Sequence, residues 1–373
     1  MWPRFSLFAI LTLLVASTSS AKRGKVILDN DWGATSFIPI LQALKAGQEI
    51  VGITSSTANS WAKQCGLHAL ALLEVGNLTC IPVYKGSDYP LLNNPKLFQA
   101  WELLHGKLPW EGAFAPLNHT MEAQGNDPTS GNPDRVVKAA FLEGFPNTTF
   151  ASDISAAEFL VQQVRKHPGE ISIYAAGAMT NLALAIRLDS TFARNTKELV
   201  IMGGFVDVTM LEATGSKLLA ELQSDVNLMI DPEASKIALT ADFPNITIAG
   251  NVANQVMSTQ SFLDEVAKVK TPYSTMMHKY YGTQFPFWDE TAAAILFHPE
   301  IVKNTTEVLI DVDTSFNSPS YGNIHVYQNR LKPHAQKLGK ANYVIKVDEE
   351  ALKSQIKASV QHPPVSYTHL RAH

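Results

Sequence analysis

Short runs of apolar residues alternate along the chain with longer runs in which apolar residues recur every three or four positions. The short runs suit β-strands buried on both faces, and the longer runs suit helices with one apolar face. Their alternation predicts an α/β fold with a mostly parallel sheet covered by helices on both faces. The predicted strands are 25–28, 50–54, 80–84, 171–177, 198–204 and 246–250, and the predicted helices are 37–47, 61–76, 155–169, 180–188 and 232–241.

The domain organisation follows from the same pattern, which shows no internal repeat and no low-complexity linker. We predict one domain over residues 22–348, with a long insertion, 86–152, that is rich in Pro, Gly and Asn and holds only short helices. Residues 349–364 are expected to be a C-terminal remnant, and 365–373 resemble a translated cloning adaptor. The chain has 373 residues, 46% of them hydrophobic, so a large core is available.

The first 21 residues have the pattern of a secretory signal peptide, with one basic residue, an apolar run over 5–16 and small residues before Ala21. A membrane anchor is the alternative, but a spanning helix needs about 20 apolar residues. We expect cleavage after Ala21, a secreted extracellular protein and no membrane contact after cleavage. Five N-glycosylation sequons agree with secretion: Asn77, Asn118, Asn147, Asn245 and Asn304.

The cysteine count and the charge narrow the possible functions. Cys65 and Cys80 can form a disulfide in an oxidising compartment or remain two buried thiols, and the sequence leaves both open. The histidines lack paired ligand spacing and no CxxC is present, which argues against a zinc site. The net charge is −4 with scattered basic residues, which argues against nucleic acid as a partner.

Two carboxylates, Asp29 and Asp31, directly follow the first predicted strand. In a parallel sheet, ligands bind beyond the carboxyl ends of the strands. Carboxylates placed there can hold a hard cation, activate a water or bind sugar hydroxyls. The alternative is a capped loop, because Asp, Asn and Gly are ordinary turn residues.

Other polar residues follow later strands at the same predicted edge. They are the 54–59 segment, Thr180 and Asn181, the Asp225 and Asn227 pair, and Asp289. Each also suits a helix cap or the exposed face of a strand. Because all of them fall at the carboxyl ends of predicted strands, we expect them to surround one pocket.

Six of these segments, in this order, resemble the motifs of the inosine–uridine nucleoside hydrolases over residues 25–348. A closer likeness is to secreted fungal members that share the altered opening and the long insertion. The family motifs DxDPGxDD, GITTxxGN, TGPLTNLALA, MGG, AEFNxxxDPEAA and HD correspond here to 29–36, 52–59, 176–185, 202–204, 224–235 and 288–289.

The resemblance implies a calcium-dependent N-ribohydrolase for small nucleosides, which in this family is often a homo-oligomer. A metal-activated water attacks the anomeric carbon through an oxocarbenium-like transition state. By position, Asp31 would be general base and metal ligand, and Asp289, the Ala176 carbonyl and Ser36 would be further ligands. The residues that would contact the nucleoside are Asn59, Asp225, Asn227, Trp288 and His105, of which His105 is a candidate acid.

The departures from the family pattern affect the cation site most. The family's paired aspartates are Thr35 and Ser36 here, and calcium affinity depends on the charge of its ligands. We therefore expect weaker calcium binding, unless Asp29, Glu221 or Glu290 supplies the missing charge. Trp288 replaces the family's His and can stack on a base without acting as an acid.

Three functions remain after these departures. The first is an active N-ribohydrolase with a rebuilt site, and the second is a non-catalytic nucleoside- or sugar-binding protein on the same scaffold. The third is a haloacid-dehalogenase-type phosphatase, which also begins with a strand and DxD. That class needs Thr or Val two residues after the second Asp, where Gly33 stands here.

Overall fold

A computed structural model describes residues 24–363 except 109, 152 and 207–224. The predicted signal peptide at 1–21, the predicted adaptor at 365–373 and Glu221 lie outside the described residues. Secretion therefore stays a prediction. In the part of the chain that is described, no helix has both the length and the apolar character needed to cross a bilayer.

The elements agree closely with the predicted alternation through residue 250. The strands are β1 (Lys25–Asn30), β2 (Glu49–Ser55), β3 (Val83–Tyr84), β4 (Ile171–Ala176), β5 (Glu198–Met202), β6 (Ile246–Ala249), β7 (Val302–Val312), β8 (Ile324–Tyr327) and β9 (Gly339–Val347). The described helices are α1 (Ile38–Lys45), α2 (Ala62–Val75), α3 (Pro95–His105), α4 (His119–Ala123), α5 (Ala156–Lys166), α6 (Thr180–Leu188), α7 (Phe192–Asn195), α8 (Val226–Met229), α9 (Pro232–Leu239), α10 (Gln260–Val266), α11 (Pro272–Tyr280), α12 (Trp288–Phe297) and α13 (Glu349–Gln361).

The nine strands form one sheet in the order β3-β2-β1-β4-β5-β6-β9-β7-β8. In this sheet order, every neighbouring pair from β3 to β9 is parallel. Strand β7 is antiparallel to both of its neighbours, β9 and β8. The predicted α/β class with a mostly parallel sheet is confirmed. The antiparallel end was not predicted, because β7 has an exposed first half and only three buried residues at its end.

Strand β1 lies at the topological switch point, since the chain first adds β2 and β3 on one side and later adds β4 on the other. Asn30, its last residue, is in register with Ser55 of β2 and Ala176 of β4. Ligand crevices in open α/β sheets form outside the carboxyl ends of strands at such a point. The topology therefore places the residues after β1 in the middle of the crevice.

The core consists of two apolar layers, one on each face of the sheet. Leu28 and Tyr174 face the layer that contains α1, α2, α12 and α13. Ile27 and Ile173 face the opposite layer, which contains α5, α6 and α9. Successive strand residues point to opposite faces, so strands buried on both sides read as unbroken apolar runs. This explains why the parallel strands could be recognised.

The insertion packs against the domain through a third apolar cluster, in which Phe114 contacts both Trp61 and Phe98. The amide of Ala113 donates to the carbonyl of Ala58 at 2.7 Å. Gly112 has a φ of +54°, and a Cβ there would lie 2.1 Å from the same carbonyl oxygen. Only glycine suits this position, so the insertion is fixed tightly on the loop between β2 and α2.

The predicted domain boundary at residue 348 is too early. Helix α13 begins at Glu349, where Asp348 caps it by accepting from the amide of Ala351 at 3.0 Å. Leu352 and Ile356 are fully buried in the layer that contains α1. The segment predicted as a remnant is thus part of the domain. The sequence signal was weak, because only one narrow face of this polar helix is apolar.

Cys65 and Cys80 do not form a disulfide in this structure. Cys65 is buried in helix α2, whereas Cys80 is exposed in the segment before β3. Of the two alternatives that the sequence left open, neither applies fully, because only one of the two thiols is buried.

Candidate active site

A cavity of about 370 Å³ opens beyond the carboxyl ends of β1, β4 and β5. Asp31 directly follows β1, and Ala176 and Met202 are the last residues of β4 and β5. The parallel sheet therefore brings together residues that are far apart in the chain. Eight of the nine residues that the resemblance assigns to the site line this cavity: Asp31, Ser36, Asn59, Ala176, Asp225, Asn227, Trp288 and Asp289. Thr180 and Asn181, which were also expected at the pocket, do not line it and instead donate to Asp231 and Asp29.

Asp31 is held by the loop after β2. One of its carboxylate oxygens accepts a hydrogen bond from the backbone amide of Asn59 at 2.7 Å. The Asn59 side chain donates to the carbonyl oxygen of Asp31 at 3.1 Å. Only 3% of Asp31 is exposed and the residue lines the cavity, so the hydrogen bond from Asn59 holds a buried carboxylate in place at the cavity wall. Such positioning is what a general base requires.

Asn30 connects Asp31 to the far end of the site. Its side-chain oxygen accepts from the amide of Asp31, and its side-chain nitrogen donates to a carboxylate oxygen of Asp289, both at 3.0 Å. Asn30 is fully buried. Asp289 lies in the first turn of α12, where the helix dipole favours a negative charge. A single amide thus joins β1 to α12.

The positions of the family's paired aspartates lie in the turn before α1. Thr35 and Ser36 both line the cavity. The hydroxyl oxygen of Ser36 accepts from the amide of Gly33 at 3.2 Å. These two residues keep polar oxygens at the cavity wall but carry no charge.

The carboxyl groups around the cavity are protonated more easily than usual. Burial raises the pKa of Asp29 to about 7 and that of Glu290 to about 8, with the charge of Asp289 adding to the effect on Glu290. Burial, and then repulsion from Asp289, raises the pKa of Asp31 well above its ordinary value. Burial raises the pKa of Asp289 too. Perturbed acids in a cleft are typical of functional sites.

Asp225 and Asn227 line the cavity from the start of α8 rather than from a strand. Asp225 caps α8, because its side chain accepts from the amide of Leu228 at 3.0 Å, and it also accepts from the amide of Gly204. Asn227 donates to the carbonyl of Met202 at 3.3 Å. Burial raises the pKa of Asp225 to about 6. The helix-cap alternative is therefore correct for Asp225, which faces the cavity as well.

Five aromatic side chains form an aromatic wall of the cavity. The indole N–H of Trp288 donates to Asn254 at 2.7 Å. The indole N–H of Trp110, which belongs to the insertion, donates to the Asn59 side chain at 3.2 Å. The aromatic residues at the cavity are Trp110, Phe205, Tyr281, Phe285 and Trp288.

Sequence reasoning missed all of these aromatic residues except Trp288. The run YYGTQFPFW at 280–288 carried a usable signal, since it places several aromatic residues directly before Asp289. Trp110 had no such signal, because nothing in the insertion shows which residue reaches back to the loop after β2. Only the folded contacts show that the insertion forms part of the cavity.

His105 is not brought to the cavity, in contrast to the prediction. It is the last residue of α3, and its ring packs against Trp101 with a centroid separation of 5.2 Å. The insertion reaches the cavity five residues later, with Trp110. The prediction was wrong because helix α3 ends at His105 and turns its last side chain toward Trp101.

The donor set does not match a calcium site. Calcium takes six to eight oxygen ligands, and its affinity rises with their charge. In the described part of the chain, no three His, Cys, Asp or Glu side chains come together in a way that could hold a metal ion. Of the four positions that the resemblance assigns to the ion, only Asp31 and Asp289 carry a carboxylate, whereas Ser36 offers a neutral hydroxyl and Ala176 a carbonyl.

Comparisons with known proteins agree with this architecture. The family model for inosine-uridine preferring nucleoside hydrolases matches residues 26–354. An uncharacterized protein of Schizosaccharomyces pombe is 35% identical over 339 residues, which cover 87% of this chain and 82% of that protein. A probable uridine nucleosidase of Arabidopsis thaliana is 32% identical over 249 residues, which cover 66% of each chain.

A solved plant nucleoside hydrolase has the same fold. Its TM-score to this chain is 0.68 at 23% sequence identity, and the match covers 91% of this chain and 99% of that one. The fold, the order of the motifs and the match to the family model over most of the chain lead to one conclusion. The chain belongs to the inosine-uridine preferring nucleoside hydrolase family.

Proposed function

We propose that this protein is an N-ribohydrolase that cleaves the N-glycosidic bond of nucleosides. The observation that carries the proposal is the placement of Asp31. This carboxylate lies at the switch point of the sheet, is oriented by the Asn59 amide, and faces a cavity with an aromatic wall. A nucleoside has a polar ribose and a flat aromatic base, which match the polar and the aromatic residues that line this cavity.

The chemistry requires one base and stabilisation of a positively charged ring. Asp31 takes a proton from a water, and the water oxygen forms a bond to the anomeric carbon as the carbon–nitrogen bond breaks. The bonding electrons leave with the base. The developing oxocarbenium ion is stabilised by the nearby carboxylates, including Asp225 and Asp289. Asn59 and Asn227 contact the ribose in this arrangement.

The leaving base is held by the aromatic wall, and a proton must reach it from another group. Tyr281 and Glu290 both line the cavity, and the Tyr281 hydroxyl donates to Glu290 at 2.9 Å. Tyr281 belongs to the aromatic wall itself, so this pair is the candidate for the proton transfer. In the described residues no histidine lines the cavity, so the family's acid has no equivalent at that place.

Members of this family generally bind calcium. The residues that the resemblance assigns to the ion are Asp31, Ser36, Ala176 and Asp289, and all four line the cavity. Their donor chemistry does not suit the ion, for the reasons given above. No step of the proposed reaction is therefore assigned to a metal, and Asp31 acts as a base positioned by protein groups.

A second candidate is a nucleoside-binding protein without turnover. It is favoured by one specific observation, namely that Trp288 occupies the position of the family's His and commits its only polar hydrogen to Asn254. This candidate needs the same cavity and the same aromatic wall. It differs only in lacking release of free ribose.

The two candidates are separated by incubating the protein with uridine, inosine and other nucleosides and measuring free ribose. Uridine is the first substrate to test, because a relative carries the name uridine nucleosidase. We expect ribose release by the wild type and a loss of about 100-fold or more for Asp31→Ala, the usual contribution of a general base. Nucleoside binding without ribose release would support the second candidate, and a fully active Asp31→Ala protein would contradict the assignment of the base.

The predicted homo-oligomer and the secreted location remain predictions. A glycosylated protein recovered from culture medium would support the signal peptide, and a sedimentation measurement would give the number of chains. Neither result bears on the assignment of Asp31.

A further inference from the structure

Asn30 is a buried amide in the middle of a group of buried carboxylates. It is fully buried, and both of its polar atoms are satisfied, one by the Asp31 amide and one by the Asp289 carboxylate. Asp31 and Asp289 are far apart in the chain and carry the same charge. Something must hold them side by side, because two nearby buried carboxylates repel one another.

A bound cation is one way to hold two carboxylates together, and a hydrogen-bond donor is another. The Asn30 amide donates to Asp289 at 3.0 Å, and the Asn59 amide donates to Asp31 at 2.7 Å. Each carboxylate therefore has an N–H group of the protein at one of its oxygens. Hydrogen bonds of an N–H group to a carboxylate are stronger than those between neutral groups.

The residues at positions 35 and 36 also favour a site without a bound cation. Thr35 and Ser36 line the cavity without charge, and the Ser36 oxygen is used by the turn that it forms with Gly33. The cavity thus lacks charged ligands at both positions, and each of the two carboxylates that remain accepts from an N–H group of the protein.

We propose that two N–H donors of the protein, the Asn30 carboxamide at Asp289 and the Asn59 amide at Asp31, replace a bound cation beside these carboxylates, and that this site takes nucleosides without calcium. The inference deepens the proposed function and rests on it for the identity of the ligand. Its calcium part does not depend on catalysis, because it concerns only what the empty site can bind.

The first experiment uses the wild-type protein after treatment with a chelator. Calcium chloride is titrated into it by calorimetry, and uridine and inosine binding are followed by tryptophan fluorescence with and without the chelator. We expect no stoichiometric calcium binding and less than a twofold change in nucleoside affinity. One calcium ion bound per chain, or nucleoside binding that requires calcium, would overturn the proposal.

The second experiment restores charge. The double variant Thr35→Asp with Ser36→Asp is expected to bind calcium on the order of 100-fold more tightly than the wild type, because added carboxylates raise calcium affinity.

A third experiment removes the N–H donor at Asp289. The variant Asn30→Asp lacks this donor and is expected to bind nucleoside only when calcium is added. If Asn30→Asp binds nucleoside as the wild type does, without calcium, then the amide does not have the proposed role.

Asn93→Asp is a matched control. The side-chain oxygen of Asn93 accepts from the next backbone amide and its nitrogen donates to a distant oxygen, both at 2.9 Å, which is the same pattern as at Asn30. Its distant partner is the carbonyl of Met229 rather than a carboxylate. This variant should therefore gain no calcium binding, and a gain equal to that of Asn30→Asp would show a nonspecific charge effect and contradict the proposal.

The outcomes for the two proposals can be distinguished. If the wild type fails to bind or hydrolyse nucleosides but the calcium titrations follow the expected pattern, the proposed function fails and only the calcium part of the inference stands. If the wild type releases ribose only when calcium is present, the proposed function stands and the role of Asn30 fails.

Discussion

Two buried groups of acidic side chains in this protein differ in how their negative charge is compensated. The insertion cluster consists of His68, Asp127 and Glu143, and the His68 ring nitrogens lie 2.8 Å from Asp127 and 2.5 Å from Glu143. Burial opposes a charge on His68, but Asp127 and then Glu143 raise its pKa to about 9. The acids are therefore neutralised by a cation supplied by the protein.

The site cluster consists of Asp29, Asp31, Asp289 and Glu290, and its hydrogen-bond donors are amides and a hydroxyl. Asn181 donates to Asp29 at 3.1 Å, and Asn30 donates to Asp289 at 3.0 Å. In the described residues no Lys, Arg or His forms an ion pair with these four acids. Desolvation is therefore offset only partly here, and raised pKa values result.

The difference shows which acidic group stabilises the fold and which is kept for a ligand. A buried ion pair fixes the insertion on α2, and none of its residues lines the cavity of the candidate active site. The site cluster keeps acids without a counter-charge beside an open cavity, which destabilises the empty protein. Proteins retain such local conflicts mainly at functional sites.

The largest expected effect is the loss of the insertion cluster's cation. His68→Gln leaves Glu143 buried without a positive partner, so the free energy of unfolding should fall by about 3–5 kcal/mol. Asp29→Asn in the site cluster should leave the free energy of unfolding unchanged or raise it, because this variant removes a buried charge. Chemical denaturation measures both, and equal losses in the two variants would contradict the comparison.

A matched control for His68→Gln is His119→Gln. His119 also contacts a glutamate, Glu122 at 3.2 Å, and also belongs to the insertion, but 75% of its side chain is exposed. An exposed pair contributes about 1 kcal/mol or less. A large destabilisation in this control would show that any histidine in the insertion is sensitive.

The next effect is the pH dependence of stability. The pKa of His68 is raised from 6.5 to about 9 on folding, so its stabilisation is fully present below about pH 6.5 and is lost as the pH rises through about 9. We expect the free energy of unfolding to fall by roughly 3 kcal/mol across this range.

The wild type should be compared with His68→Gln at each pH. Glu290, whose pKa is raised to about 8, lowers stability in the same direction as the pH rises, but it is present in both proteins. The difference between the two curves therefore isolates His68. If the difference in the free energy of unfolding stays constant from about pH 6 to about pH 10, the charge assigned to His68 is wrong.

The smallest expected effect sharpens the role of the insertion at the cavity. Trp110→Ala should weaken uridine binding by about 1–3 kcal/mol, the usual loss when a base loses an aromatic partner. Trp110→Phe keeps a ring but loses the bond to Asn59, so its loss should be smaller. Leu103→Ala is the control, since Leu103 is 89% exposed in the same insertion and does not line the cavity. Equal affinities for Trp110→Ala and the wild type would show that the insertion only packs.

Much of the fold could be predicted because the parallel strands are buried on both faces. Strand β4, for example, is buried at every residue and reads as an apolar run. The antiparallel end could not be predicted in the same way, because β7 begins with exposed residues and resembles a polar loop. The end of the domain was misjudged for a related reason, since α13 is polar except for one face.

The site could be predicted where function depends on the ends of strands. Asp31 follows from its place after the first strand and Asp289 from its place at the start of a helix, whereas Ala176 was assigned only through the family resemblance. His105 was misplaced and Trp110 was missed, because the path of an insertion depends on contacts between distant residues. The Asn30 amide was missed for another reason, namely that its partner is 259 positions away and nothing local marks it.

Helix α13 has a practical consequence for anyone who prepares this protein. Its side chains Leu352, Ile356 and Val360 fill a groove beside α1, and the tail beyond residue 363 lies outside the described structure. A purification tag or a fluorescent reporter is therefore best joined after this helix. Truncation of the protein at residue 348 would instead remove this helix and expose the apolar groove beside α1, which would promote aggregation.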